Sequence, residues 1–218
     1  KKSKNGENLI ANDENLDEVK SSNNFNFSGN PILLTLARLE KRKGHQRVLE
    51  ALKKLKNDFP HIQYIIAGEG DEKKNLINFT KNLDLTENVF FVGSINQNQK
   101  KEIFSQSTLM VMPTTNEVSK GSIEGFGISY IEAAMAGLCS VATDNGGVSD
   151  AIVNNETGLL LKSNDDLYSC LKTILFDTTK LKLLNLQAKK RALKDFNWDV
   201  VIEKYLDNTF KLKPKKIQ

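Results

Sequence analysis

Two kinds of apolar pattern alternate along this chain. Short continuous runs read as strands buried on both faces: ILLTLA at 32–37, IQYIIAG at 62–68, NVFFVG at 88–93, TLMVM at 108–112, SVAT at 140–143 and GLLL at 158–161. Between them, apolar residues recur at helical spacing. Val48, Leu49, Leu52 and Leu55 follow Gly44, and Leu76, Ile77 and Leu83 line a helix over 71–83. A short helix runs through Ile103 and Phe104, another opens at Ile128, and a third lies around 151–153. Helical stretches over 165–176, 179–194 and 199–209 finish the pattern. Buried strands alternating with amphipathic helices predict an α/β fold, a doubly wound parallel sheet of Rossmann-like type, because helices must cover both faces. Residues 1–30 are polar with isolated apolar positions such as Phe25 and Phe27, and read as a linker or a strip that packs on a partner. The regular domain is expected over 31–210, and 211–218 is a basic tail without structure of its own.

The densest punctuation lies at 108–137, where a strand closed by Pro113 leads through a polar loop into the helix from Ile128. Gly125 and Gly127 stand where the loop enters the helix. Small residues there let backbone N–H groups and the positive helix end approach an anion. Glu124 precedes this turn and Glu132 follows about two turns later; a fully helical segment would set them roughly 12 Å apart. That spacing suits the two ends of an elongated ligand. The same residues also fit a plain helix start with two surface acids and two turn glycines.

The chain has 218 residues, enough for one well-buried core, and carries a formal charge of +4. Its 31 basic residues are interspersed with 27 acidic ones, so the balance favours anionic partners weakly and does not point to nucleic acid. Cys139 and Cys170 lie in apolar surroundings without ligand spacing, and read as buried free thiols in a reducing, cytoplasmic compartment. No apolar run has membrane-spanning length.

Ligands of such sheets bind beyond the C-terminal ends of the strands. There Arg38 leaves the first strand, and Lys43 stands at the mouth of the first helix, a forked guanidinium and a mobile ammonium suited to a diphosphate. A solvated basic turn is the other reading of the same residues. The chain holds neither a G-x-x-x-x-G-K-[ST] phosphate loop nor three spaced glycines after the first strand, which argues against a dinucleotide-dependent dehydrogenase. No Asp-x-Asp pair occurs at this edge, and His45 and His61 lie apart, so no metal is expected.

From Pro31 to about Phe210 the chain resembles the C-terminal, nucleotide-sugar-binding half of family 4 retaining glycosyltransferases with the GT-B fold. The resemblance rests on ARLEKRKG, AGEG, ENVFFVG, EGFGISYIE and DNGGVSDAIVNNETGLLL in that order. The loop NEVSKGSIEG and the turn GGVSDAI look more like the bacterial branch that builds phosphatidylinositol mannosides, capsules and lipopolysaccharides. The resemblance implies that Arg38 and Lys43 hold the donor's diphosphate, with Arg38, Lys43 and Glu124 the catalytic set. It implies that Glu132 accepts from the ribose hydroxyls, and that Glu124 and the N–H groups of Gly125, Phe126 and Gly127 meet the sugar and phosphate. Val92 and Gly93 would border the base, and Gly68 would admit the nucleotide. Neither metal nor cofactor is implied. The acceptor, a glycan or a lipid-linked one, would bind an N-terminal domain that residues 1–30 cannot supply, so the chain alone would transfer sugar poorly or not at all. Trp198, Val201 and Tyr205 would pack against that domain, at the inner face of the cytoplasmic membrane in many members. A non-catalytic nucleotide-sugar-binding module remains the second reading.

Overall fold

In the structure, a computed structural model, residues 25–115, 124–197, 200–202 and 206 are described. Strands β1 (Ile32–Leu36), β2 (Gln63–Ala67), β3 (Val89–Gly93), β4 (Leu109–Met112), β5 (Ser140–Thr143) and β6 (Gly158–Leu161) form one parallel sheet in the order β3-β2-β1-β4-β5-β6. Helices α1 (His45–Leu55), α2 (Lys73–Asn82), α3 (Gln97–Gln106), α4 (Ile128–Ala136), α5 (Val148–Ala151), α6 (Leu167–Phe176) and α7 (Thr178–Asp195) supply the connections and covers. β1 pairs with β2 on one side, Leu34 facing Ile65, and with β4 on the other, Leu34 facing Met110. The order therefore reverses between β1 and β4, the switch point at which such sheets open a crevice.

Strand alternation separates two cores. Leu33, Tyr64, Ile66, Leu109 and Val141 face α1, α2, α6 and α7, while Ile32, Leu34, Ile65, Met110 and Ala142 face α3, α4 and α5. Because every strand of the centre is apolar on both faces, both layers are obligatory.

The structure moves two expected boundaries. Packing begins before Pro31: Phe25 is buried among the α3 residues, its N–H donates to Glu102 at 2.8 Å, and its ring stacks 5.7 Å from Phe27, whose edge meets Phe90. The strip at 25–30 thus packs on this domain itself. The helix expected around 151–153 is instead Val148–Ala151, because Ile152 is extended and the Val153 N–H is captured by the Thr157 hydroxyl at 2.9 Å. Cys139 is buried as expected but Cys170 only partly; burial pushes their thiols up to about 12 and about 11, so both are protonated at neutral pH. Of the expected helix at 199–209, residues 200–202 and 206 are helical. Residues 1–24, Trp198, Tyr205 and 211–218 lie outside the described residues, as do 116–123, which follow β4. Val201 is exposed. Among the described residues, no helix is long and apolar enough to cross a membrane.

Candidate functional site

Three loops lock together beyond the switch point. After β1 the chain makes one 3-10 turn, Lys41–Lys43, and enters α1 through Gly44, whose φ of 76° is left-handed. A Cβ on Gly44 would lie 2.2 Å from the Pro113 carbonyl oxygen, so only glycine lets the β1 loop touch the β4 loop. The Thr115 N–H then donates to the Arg42 carbonyl at 2.8 Å. The loop after β5 closes from the far side: Asn145 donates to the Thr114 carbonyl at 2.7 Å, and the Gly147 N–H to the Glu124 carbonyl at 3.0 Å.

Charges alternate across this junction. Arg38 contacts Glu40 at 3.2 Å; Arg42 donates from Nε to Glu40 and from Nη1 to Glu124, each at 2.9 Å; and Lys43 Nζ donates to Glu124 at 2.6 Å. Lys43 and Arg42 meet the same oxygen, Oε2, of Glu124. The array runs from solvent inward, since the Arg38 side chain is 78% exposed while those of Lys43 and Glu124 are 10% and 9% exposed. A carboxylate this deep requires its counter-charges, since removing them would leave a buried anion uncompensated. Glu132 lies on α4 and is held separately, by Lys100 of α3 at 2.7 Å. The two glutamates are therefore held apart from one another, Glu124 by Lys43 and Arg42 and Glu132 by Lys100.

The glycines divide into two kinds. A Cβ on Gly125 would meet no atom of the described residues within 4 Å, so this stretch of backbone is open on their side. At Gly127, φ is 76° and a Cβ would strike the Tyr130 ring at 2.4 Å. Tyr130 itself donates to the Met112 carbonyl at 2.9 Å, pinning the first turn of α4 to the end of β4, and burial with the nearby Glu124 charge pushes its hydroxyl far above the usual range. The Phe126 ring turns away onto Phe196, centroids 5.4 Å apart. Gly68 is required by the protein's own backbone, since a Cβ there would sit 2.0 Å from the Ala37 carbonyl oxygen. Its N–H donates to the Gly93 carbonyl at 2.8 Å, beside half-buried Val92, and the Glu69 carboxylate stands over Gly93.

Beneath the junction runs a buried polar string. Thr35 donates its hydroxyl to the Val111 carbonyl and contacts the Tyr64 hydroxyl at 2.8 Å; His45 Nδ1 lies 3.3 Å from that hydroxyl, and its Nε2 lies 3.4 Å from the Arg38 carbonyl. Burial lowers the His45 pKa to about 4, with Lys43 adding a smaller push in the same direction, so the ring is neutral at pH 7. A neutral ring offers one N–H for these two contacts.

The structure thus brings Lys43 and Glu124 into contact and keeps Arg38 at the solvent end of the same array. Glu132 stands on a neighbouring element, and Val92, Gly93 and Gly68 line the adjoining strand ends. Sequence reasoning missed Arg42, Glu40, Lys100 and His45 as members of the site. Arg42 and Glu40 sat unmarked in the charged turn, and Lys100 is one of several polar residues in QNQKK. Only His45, an ionisable residue beside Gly44 on a face that becomes buried, carried a local hint.

Residues 17–191 match the family model described as Glycosyl transferases group 1. The glycogen synthase of Mycobacterium tuberculosis is 28% identical over 171 residues, covering 78% of this chain and 40% of that protein. The GDP-mannose-dependent alpha-(1-6)-phosphatidylinositol monomannoside mannosyltransferase of Mycolicibacterium smegmatis is 24% identical over 176 residues, covering 80% and 46%. Among solved structures, Anabaena Alr3699/HepE in complex with UDP superposes with a TM-score of 0.74 at 21% identity, covering 85% of this chain and 50% of that one. The C-terminal domain of a glycosyl transferase group 1 family protein from Francisella tularensis gives 0.64 at 22% identity and is covered to 87%. The chain thus spans half or less of these longer relatives, and nearly all of an isolated C-terminal domain. With a matched region that takes in most of the sequence and a fold corresponding to one Rossmann-like half of a GT-B structure, the chain belongs to the glycosyl transferases group 1 family.

Proposed function

We propose that this chain is the donor-binding half of a retaining, metal-independent glycosyltransferase that uses a nucleotide-diphosphate sugar. The observation that carries the reading is the Lys43–Glu124 contact at the switch point, which sets a diphosphate cation beside an acid suited to sugar hydroxyls. Lys43 and the exposed Arg38 take the diphosphate and meet its charge as the sugar departs. Glu124 keeps Oε2 on Arg42 as Lys43 turns to the diphosphate, and offers Oε1 to the sugar. Glu132, anchored by Lys100, accepts from the ribose hydroxyls, and the open backbone at Gly125 with the N–H groups of Phe126 and Gly127 lies along sugar and phosphate. The base lies against Val92, Gly93 and Gly68. Both carboxylates already hold cations of the protein, which favours a diphosphate bound without a metal bridge. The acceptor, a glycan or lipid-linked one, enters through a separate N-terminal domain, at the inner face of the cytoplasmic membrane where the acceptor is a lipid. This half alone binds donor and transfers poorly.

A calorimetric screen of UDP-, GDP-, ADP- and CMP-sugars with EDTA present tests the reading. Glu132→Ala should weaken a free nucleoside diphosphate and its sugar conjugate alike, by about 1–3 kcal/mol, whereas Glu124→Ala should weaken chiefly the conjugate. Identical profiles for the two variants, or no donor binding by the folded chain, would overturn it.

A further inference from the structure

Each cation assigned to the diphosphate shares its carboxylate with Arg42. Lys43 shares Glu124, and Arg38 shares Glu40. When Lys43 turns to a phosphate it leaves a buried carboxylate, a step opposed by the cost of an uncompensated charge in that position. Arg42 is built to stay behind. Its side chain is mostly buried, its guanidinium is held at one end by Glu40 and at the other by Glu124, and its carbonyl is tied to the Thr115 N–H. A planar fork can hold both carboxylates at once, which an ammonium cannot do in fixed geometry.

We propose that Arg42 is the positioning residue that keeps Glu124 and Glu40 charge-balanced while Lys43 and Arg38 are released to a nucleoside diphosphate. Arg42 itself does not touch that ligand. The inference rests on the reading that Lys43 and Arg38 receive the diphosphate, and it adds a residue that acts only through the carboxylates they leave.

The test titrates the chain calorimetrically with whichever of UDP or GDP binds more tightly. Arg42→Ala should weaken binding about tenfold, the scale of one charge-assisted hydrogen bond, and Arg42→Gln, which keeps part of the stem and an amide donor without the charge, should do the same. Adding Glu124→Gln to either variant should restore affinity to within about threefold of the parent chain, because a neutral amide needs no counter-charge. A direct contact between Arg42 and the ligand, or a purely structural role, predicts no such rescue. Absence of rescue, or parental affinity in Arg42→Gln, overturns the proposal. Lys43→Ala separates the two levels: unchanged diphosphate affinity there removes the donor reading itself. A loss in Lys43→Ala with none in the Arg42 variants removes this inference alone.

Discussion

At the scale of single residues, burial decides which ionisable groups are free to act. His45 lies under the β1 loop with its pKa lowered from 6.5 to about 4, so the unfolded chain binds a proton that the folded chain refuses between those values. The stability tied to its neutrality is fully present above about pH 6.5, falls as pH drops toward 4, and declines no further below that. The shift corresponds to about 3 kcal/mol. Urea titrations from pH 7.5 to 4 should therefore show a steeper loss in the parent chain than in His45→Gln, which keeps a donor near the Arg38 carbonyl without titrating. Parallel profiles would show that the ring is not held neutral. Glu124 depends on burial in a different way: its depth is tolerated because Lys43 and Arg42 both reach its Oε2.

At the scale of elements, the site is a set of interlocked loops on rigid strand ends. Gly147 has an ordinary backbone conformation, yet a Cβ there would lie 1.8 Å from the Gly125 carbonyl oxygen. Gly147→Ala must therefore push away the segment that carries Glu124 to Gly127 while leaving the β1 loop in place. Overpacking of this kind costs about 1–3 kcal/mol in stability, which a melting curve reads. Calorimetry should show a larger loss for the sugar conjugate than for the free nucleoside diphosphate, since the displaced segment is the one assigned to the sugar. Equal losses for both ligands would mean that the β5 loop supports the whole crevice rather than its sugar side. The helix carrying Lys100 is fixed independently by the Asn96–Gln99 capping box.

At the scale of the whole molecule, the domain extends at least six residues ahead of the boundary expected at Pro31, because Phe25 fills the α3 side of the core. Phe25→Ala should destabilise the chain by about 3 kcal/mol, the lower end for a buried phenylalanine. Truncation at Pro31 should cost at least as much. Denaturant midpoints for the two variants check this, and a truncated chain with the parent's midpoint would restore the boundary to Pro31. Val201, Ile202 and Leu206, in the segment after α7, are exposed apolar residues.

Much of this was legible in the linear pattern. Continuous apolar runs fixed six strands within a residue or two, since a strand buried on both faces tolerates few polar residues. The period of the intervening segments placed most of the helices, though not Val148–Ala151, and Gly44, Gly127 and Pro113 marked the turns that carry Arg38, Lys43 and Glu124. All of these signals are local, set by backbone sterics and by burial of neighbours in sequence. Phe25 and Phe27 were the exception, isolated apolar residues in a polar stretch whose burial depends on Glu102, Gln106 and Phe90 far along the chain. The tertiary structure alone decided the strand order that puts the β1 and β4 loops side by side. It therefore decided that Glu124 meets Lys43 and Arg42 across more than eighty residues of sequence. It also decided that Glu132 belongs to Lys100, and that Gly68 answers to the Ala37 carbonyl. Propensity and periodicity describe what a segment does with its own neighbours. Which charges face one another is set by how the sheet is wound, and no single segment contains that information.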